Sequence, residues 1–437
     1  MLSYLDNLSE QCYTTFEMIP FRLAILISHP VQYYVPLFKL LAEKTAIELK
    51  VFYTLGKIND SVDQGFGKEI IWDIPLLDGY DYEFLHNRAK KKGSYHFAGI
   101  SNPDLINKVS YFKPDGIMIY GWAYSSHLRA IRYFKNRVPI WFRGDSTLID
   151  KQSFIRGALK KFFLKWVYRQ IDLAFYTGSH NKAYFKHYGL REEKLIFTPH
   201  AIDNERFAED RSVEAKRLRS LLGIPENNLL ILFAGKLETK KDPQLLLDAF
   251  ILMNRTNTHL LFVGNGDLEE SLKDKVESLS FDYAQVDNVQ NNQEIREKEE
   301  KRSRNEKKGN SKLKVHFMDF QNQTQMPVIY QACDLFCLPS KGPNETWGLA
   351  VNEAMAAGKA ILVSDKVGCG ADLIKEKKNG YTFKAGNQDE LIEKLKILTD
   401  RPRLLEQMGA ASAILSGDWT LLRQVEIILN VINRAKK

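Results

Sequence analysis

The sequence predicts an α/β protein of two domains, each a parallel sheet with helices on both faces. Length points there first: 437 residues exceed what one hydrophobic core usually organises, so two units of roughly 200 residues are expected. Short apolar or β-branched runs alternate with amphipathic segments, the pattern of strand–helix–strand crossovers. That rhythm also stops and restarts once, near residue 207.

In the first half the strands are "RLAILISH" (22–29), "ELKVFYT" (48–54), "DGIMIYG" (115–121), "VPIWFRG" (138–144), "LAFYTGS" (173–179) and "KLIFTPH" (194–200). "VPLFKLLAEKT" and "SHLRAIRYFKN" read as helices between them. The polar stretch "AIDNERFAEDRSVEAKRLRSLLGIPEN" reads as a linker leading into a helix. The second series is "NLLILFAGK" (228–236), "HLLFVGNG" (259–266), "LKVHFMDF" (313–320), "CDLFCLPS" (333–340) and "KAILVSD" (359–365). The domains expected are therefore 1–207 and 208–415, with a helix in 416–437 that could return to the N-terminal domain. Residues 281–312 read as an exposed charged insertion, having too few apolar residues to offset the entropy of ordering.

Composition narrows the function classes. No apolar run approaches the roughly 18–20 residues of a membrane-spanning helix. The first 20 residues contain Asp6, Glu10 and Glu17 without Lys or Arg, the wrong charge for a secretory signal, so a cytoplasmic location is expected. Four scattered cysteines, with Cys333 and Cys337 in an apolar run, read as buried thiols and complete no zinc set. The net charge is +8, yet residues 101–200 alone hold 17 Lys+Arg against 7 Asp+Glu, which suggests an anionic partner for the first domain. Within it, "FIRGALKKFFLKWVYRQ" (154–170) interleaves basic and bulky apolar residues. It reads either as a helix lying on an anionic membrane from the inner face of the cell or as a core-facing helix with solvated lysines. No base-reading motif accompanies the charge, and nucleic acid is not an expected partner.

The chemistry concentrates in "GPNETWGLAVNEAMAAG" (342–358). A strand ends at Ser340, a Gly/Pro/Asn loop follows, and helical composition begins near Trp347. The amides of Gly348 and Leu349 then point outward from the strand's C-terminal edge, where parallel sheets bind phosphates. Glu345 and Glu353 flank that turn. A diphosphate at the helix start would leave one carboxylate near each of its two substituents, the layout of a nucleoside diphosphate sugar. Glu353, set among apolar residues, needs hydrogen-bond donors; ribose hydroxyls would supply them, and a nearby Lys or Arg is the competing partner. "FAGKLETKKDPQLLLDAF" (233–250) adds a strand, the Gly235 turn, Lys236, Lys241 and a helix, placing two ammonium groups beside the same sheet edge.

These segments, with "TPHAIDNERF", "LLFVGNGDLEESL" and the run from "VHFMDF" to "LFCLPS", resemble the retaining glycosyltransferases of family 4, whose architecture is GT-B, two facing Rossmann-like domains. The resemblance covers residues 174–384. It implies that Glu345 contacts the donor sugar, Glu353 the ribose and Lys241 the diphosphate, with Thr346, Trp347, Gly348, Leu349, Gly235 and Gly264 on the donor side. Lys236 stands where arginine is usual, and Asp145 of "WFRGDST" where histidine is usual. His29, His127 and Arg143 are the acceptor-side candidates. The implied reaction moves a sugar onto a hydroxyl of a glycan or lipid-linked acceptor with retention, in glycan or surface polysaccharide assembly. It implies no cofactor beyond the donor and no metal; the chain has no Asp-x-Asp pair. Another enzyme of the same architecture, such as a nucleotide-sugar epimerase or a phosphorylase, and a non-catalytic nucleotide-sugar-binding subunit remain the alternatives.

Overall fold

The computed structural model describes residues 19–57, 62–63, 68–69, 71–150, 154–278, 282–286, 314–343 and 345–436. Two seven-stranded parallel sheets face each other across a cleft. In the N-terminal sheet the strands are β1 (Phe21–Ile27), β2 (Ile47–Tyr53), β3 (Asp81–Phe84), β4 (Gly116–Tyr120), β5 (Ile140–Arg143), β6 (Leu173–Tyr176) and β7 (Leu195–Phe197), in the order β3-β2-β1-β4-β5-β6-β7. The C-terminal sheet contains β8 (Leu229–Ala234), β9 (Thr258–Val263), β10 (Asp282–Val286), β11 (Lys314–Met318), β12 (Leu335–Leu338), β13 (Ala360–Ser364) and β14 (Gly380–Phe383), in the order β10-β11-β9-β8-β12-β13-β14.

Both orders turn back at their first strand, β1 beside β4 and β8 beside β12, which opens a crevice at the C-terminal strand ends where ligands bind in such sheets. Central strands are covered on both faces, so β8, β9 and β13 are buried along their whole length and read as continuous apolar runs. Burial of that kind, at roughly 25 cal/mol per Å² of apolar surface, is the main term holding each sheet between its helices.

The chain crosses between domains after β7: Ile202 and Phe207 already belong to the C-terminal core. The linker-like stretch contains two helices, Asn204–Ala208 and Ser212–Leu221, the first capped by the Asp203 side chain, which accepts from Arg206 N. The last helix, Leu421–Ala435, starts at the Thr420 cap and buries Leu421, Val425, Ile428 and Ile432 against Val35, Phe38 and Leu41 of the N-terminal domain.

Two expectations need correcting. Residues 282–286 are not part of a charged insertion: they form edge strand β10, paired in parallel with β11. "DYAQV" carries the β-propensity that the following charged run lacks; residues 287–313 lie outside the described residues. The helix expected from Trp347 begins at Leu349, because Gly348 adopts φ +95° and the chain before it is not helical. Among the described residues no helix is long and apolar enough to cross a membrane.

Candidate functional site

A cavity of about 880 Å³ lies in the cleft at both switch points. Its C-terminal wall is built from the loop after β8 (Gly235, Lys236), the turn holding Lys240 and Lys241, Gly264 after β9, Glu345, and the first turn of the helix Leu349–Ala356. Its N-terminal wall contains His29, Tyr33, Leu55, Lys57, Trp72, Leu76, Leu77, Phe84 and the loop 92–95. Five lysines (57, 92, 236, 240, 241) and three glutamates (238, 345, 353) line it, a cationic balance suited to a diphosphate.

Two glycines shape this wall for backbone reasons. Gly264 (φ +130°) passes so close to Gly235 that a Cβ would sit 2.2 Å from the Gly235 carbonyl oxygen. A Cβ on Gly348 would lie 2.9 Å from Val367 Cγ1, at a φ that disfavours any side chain. In the next helix the Val351 amide already bonds the Gly348 carbonyl at 2.9 Å, while Gly348, Leu349 and Ala350, which precede it, line the cavity and turn the positive end of the helix toward it.

Lys241 Nζ donates to Glu345 Oε2 at 2.8 Å, and Ser340 Oγ donates to the same oxygen at 3.2 Å. The cation and the carboxylate expected at the diphosphate and at the sugar therefore sit in contact, both largely buried. Lys236, Gly235, Leu349 and His29 also line the cavity. Ser28 Oγ lies 2.9 Å from His29 Nδ1.

Glu353 is buried, and its partners are two tyrosines. Tyr33 Oη donates to Oε1 at 3.0 Å from the N-terminal domain, and Tyr330 Oη donates to Oε2 at 2.7 Å from the helix Met326–Ala332. Burial pushes the carboxyl up to about 7, against the lowering effect of both phenols and of Arg206. Burial first, and the neighbouring Glu353 carboxylate second, raise both phenols well above the ordinary value. Neither tyrosine was anticipated as a site residue. "VQYYVP" lies beside the strand-to-helix loop, but Tyr33 and Glu353 are 320 positions apart in the chain, and nothing local pairs them.

Five other candidates, His127, Arg143, Asp145, Thr346 and Trp347, fall outside the cavity wall. His127 is buried between Thr54 Oγ1 (2.8 Å) and the Gly121 carbonyl (2.9 Å), and burial lowers it to about 4. Arg143 is buried and donates to the Thr198 and Pro199 carbonyls, both at 3.3 Å, tying β5 to the interdomain crossing. Asp145 accepts from Thr346 Oγ1 at 3.1 Å, one of the bonds that join the domains. Trp347 packs on His200 and Trp419, and its indole N–H donates to Asn352 Oδ1 at 2.8 Å. Trp347, Thr346 and Asp145 thus hold the loop and the domains around the cavity; the geometry does not put them on its surface.

Cys333 and Cys337 are buried free thiols. Among the described residues no group of three or more His, Cys, Asp or Glu is arranged to hold a metal ion.

Comparison with known proteins agrees with this architecture. Residues 214–413 match the family model described as "Glycosyl transferases group 1". An uncharacterized glycosyltransferase of Haemophilus influenzae is 24% identical over 230 residues, 51% of this chain and 55% of that protein. The alpha-galactosylglucosyldiacylglycerol synthase of Streptococcus pneumoniae is 22% identical over 285 residues, 63% of this chain and 67% of that one. The chain thus matches about half to two thirds of the length of these two relatives. Among solved structures, Anabaena HepE in complex with UDP superposes with a TM-score of 0.64 at 18% identity, covering 95% of this chain and 100% of the other. The two facing parallel sheets are therefore the GT-B fold, and the stretch that matches the glycosyl transferases group 1 model is the domain that supplies Lys236, Lys241, Glu345 and Glu353.

Proposed function

We propose that the chain is a glycosyltransferase of family 4 type that moves a sugar from a nucleoside diphosphate donor to a hydroxyl acceptor with retention of anomeric configuration. The observation that carries this reading is the convergence of Lys236, Lys241, Glu345 and the helix start at Gly348 on one cavity, with Glu353 about one turn further along that helix. The matched family and the UDP bound in the HepE structure support a nucleotide-sugar donor.

In this scheme the diphosphate lies against the amides of the helix first turn, between the two ammonium groups. The bond between the anomeric carbon and the terminal phosphate oxygen breaks, and the lysines and the helix dipole stabilise the charge that develops on the leaving group. The acceptor oxygen forms its bond on the same face of the sugar, and its proton passes to the departing diphosphate. Glu345 orients the donor sugar and keeps Lys241 in place. The ribose hydroxyls go to Glu353, one of them taking the position now held by the Tyr33 hydroxyl. No metal has a role in this scheme.

The acceptor side is the N-terminal wall, where Leu55, Trp72, Leu76, Leu77 and Phe84 form apolar surface beside Lys57 and Lys92. An amphiphilic, lipid-linked glycan acceptor fits that mixture, and the helix 154–168 supports a peripheral position on the inner face of an anionic membrane. Such a position would place the protein in surface polysaccharide or lipid-linked glycan assembly.

The test is a donor screen with purified protein and a panel of UDP-, GDP- and ADP-sugars, measuring nucleoside diphosphate release with and without EDTA, followed by NMR of the product's anomeric configuration. Release from one donor class, insensitive to EDTA and giving a retained product, is expected. Release with inversion, or abolished by EDTA, overturns the mechanism. No release from any donor, with nucleoside diphosphate still bound, would favour the non-catalytic subunit.

A further inference from the structure

The helix Phe154–Tyr168 carries two apolar stripes where a surface helix needs one. Leu164, Val167 and Tyr168 are buried in the domain core. Leu159, Phe162, Phe163 and Trp166 fall at i, i+3, i+4 and i+7, a second face of the same helix. On that face Leu159 is 71% exposed, Phe162 81% and Trp166 39%. Lys161, Lys165 and Arg169 run along its flank, and residues 154–170 contain no Asp or Glu.

A second exposed segment continues this face. The loop "RAKKKGSYHFA" (88–98) bears four basic residues and no acidic one, and exposes Tyr95 (69%) and Phe97 (48%). Side chains connect the two segments. Tyr124 Oη donates to the Ser94 carbonyl at 3.2 Å, and two residues earlier Trp122 packs edge-on against Phe163, with ring centroids 5.3 Å apart. Arg132 lies over the Trp166 ring, 5.7 Å from its centroid, so the outer tryptophan is framed by cations. Residues 92–95 of the loop also line the cleft cavity.

We propose that the loop 88–98 and the outer stripe of the helix 154–168 form one docking surface for a bilayer with anionic headgroups, and that this surface sets the N-terminal mouth of the cavity at headgroup level. The proposal rests on the glycosyltransferase reading for the use of that mouth, and names the loop as a part of the membrane contact. Charge complementarity selects the occupant: aromatic rings beside Lys and Arg, in two segments that contain no Asp or Glu, match the interfacial zone of an anionic membrane. Exposed apolar side chains at this density have no use in water.

The experiment is co-sedimentation of the full chain with vesicles of phosphatidylcholine alone or with roughly a third phosphatidylglycerol, the anionic fraction supplying the surface potential. Two variants are compared with it, Leu159→Ser with Phe162→Ser, and Arg88→Ser with Lys90→Ser and Lys91→Ser. None of these side chains lines the cavity. Binding that requires the anionic lipid and weakens with salt is expected. Each variant should weaken it more than about tenfold, the first by removing two large apolar side chains from the bilayer and the second because each cation near such a surface is worth about fivefold. Melting temperature and nucleoside diphosphate release in vesicle-free solution should stay at the unaltered level. Equal binding to neutral vesicles, no binding, or retained binding in either variant overturns the proposal. So does concentration-dependent dimerisation in sedimentation velocity that Phe162→Ser abolishes, which would make the stripe a seam between two copies. Failure of the donor reading would instead appear as absent release in the unaltered protein, whatever the vesicles show.

Discussion

Replacing Glu353 by glutamine keeps its shape and can keep both phenol contacts, one through the amide oxygen and one through the amide nitrogen, while removing the proton equilibrium. Burial raises the Glu353 carboxyl from the ordinary 4.5 to about 7 in the folded protein. At about 1.4 kcal/mol per pH unit, that gap is worth about 3 kcal/mol. The sign follows from the direction: a raised acid contributes stability that is fully present below pH 4.5 and lost as pH rises through about 7. His127 and His200, lowered by burial to about 4 and about 3, act in the opposite sense, present above their unfolded value and lost as pH falls. Both proteins keep these histidines, so the difference between them isolates Glu353. Urea unfolding of the parent and of Glu353→Gln from pH 4.5 to 8 should show the parent losing about 3 kcal/mol relative to the variant. A difference that stays flat across that range would falsify the assignment of a desolvated, proton-holding carboxyl to this position.

Tyr33→Phe removes the hydroxyl that competes for Glu353 Oε1, so calorimetry should show nucleoside diphosphate binding tightened about fivefold, for a bond worth about 1 kcal/mol net. Weaker binding would mean that Tyr33 assists the ligand instead of standing in its place. Lys241→Ala removes the cation from the diphosphate position and leaves Glu345 largely buried without its ammonium partner. Affinity for nucleoside diphosphate should fall by about 2 kcal/mol or more, roughly thirtyfold, and unaltered affinity would remove this lysine from the site. Gly348→Ala forces a side chain into φ +95° and against Val367. A loss of about 1–2 kcal/mol from the backbone alone is expected, read as a lower melting temperature, together with impaired donor binding. A variant as stable as the parent would show that the turn accommodates a Cβ.

The fold class was legible because a doubly covered parallel strand must be apolar throughout, and the runs "LLILFA" and "AILVS" have no other comfortable environment. Lys241 and Glu345 could be placed at one sheet edge on similar grounds, since each follows a readable strand at the C-terminal end where the loops converge. Local patterning also marked Glu353 as a carboxylate in need of donors, without naming them. Its partners required the two domains to meet, because Tyr33 reaches it only across the cleft. The same limit applied to His127 and Arg143. A polar residue at or beyond the C-terminal end of a strand looks the same in sequence whether it turns toward the cleft or, as these do, back to backbone carbonyls. The helix 154–168 offered two apolar stripes, and periodicity cannot say which of two such stripes meets the core. Packing decided it, because Leu164, Val167 and Tyr168 are buried in the N-terminal core and Phe163 packs partly against it, while Leu159 and Phe162 were left facing outward.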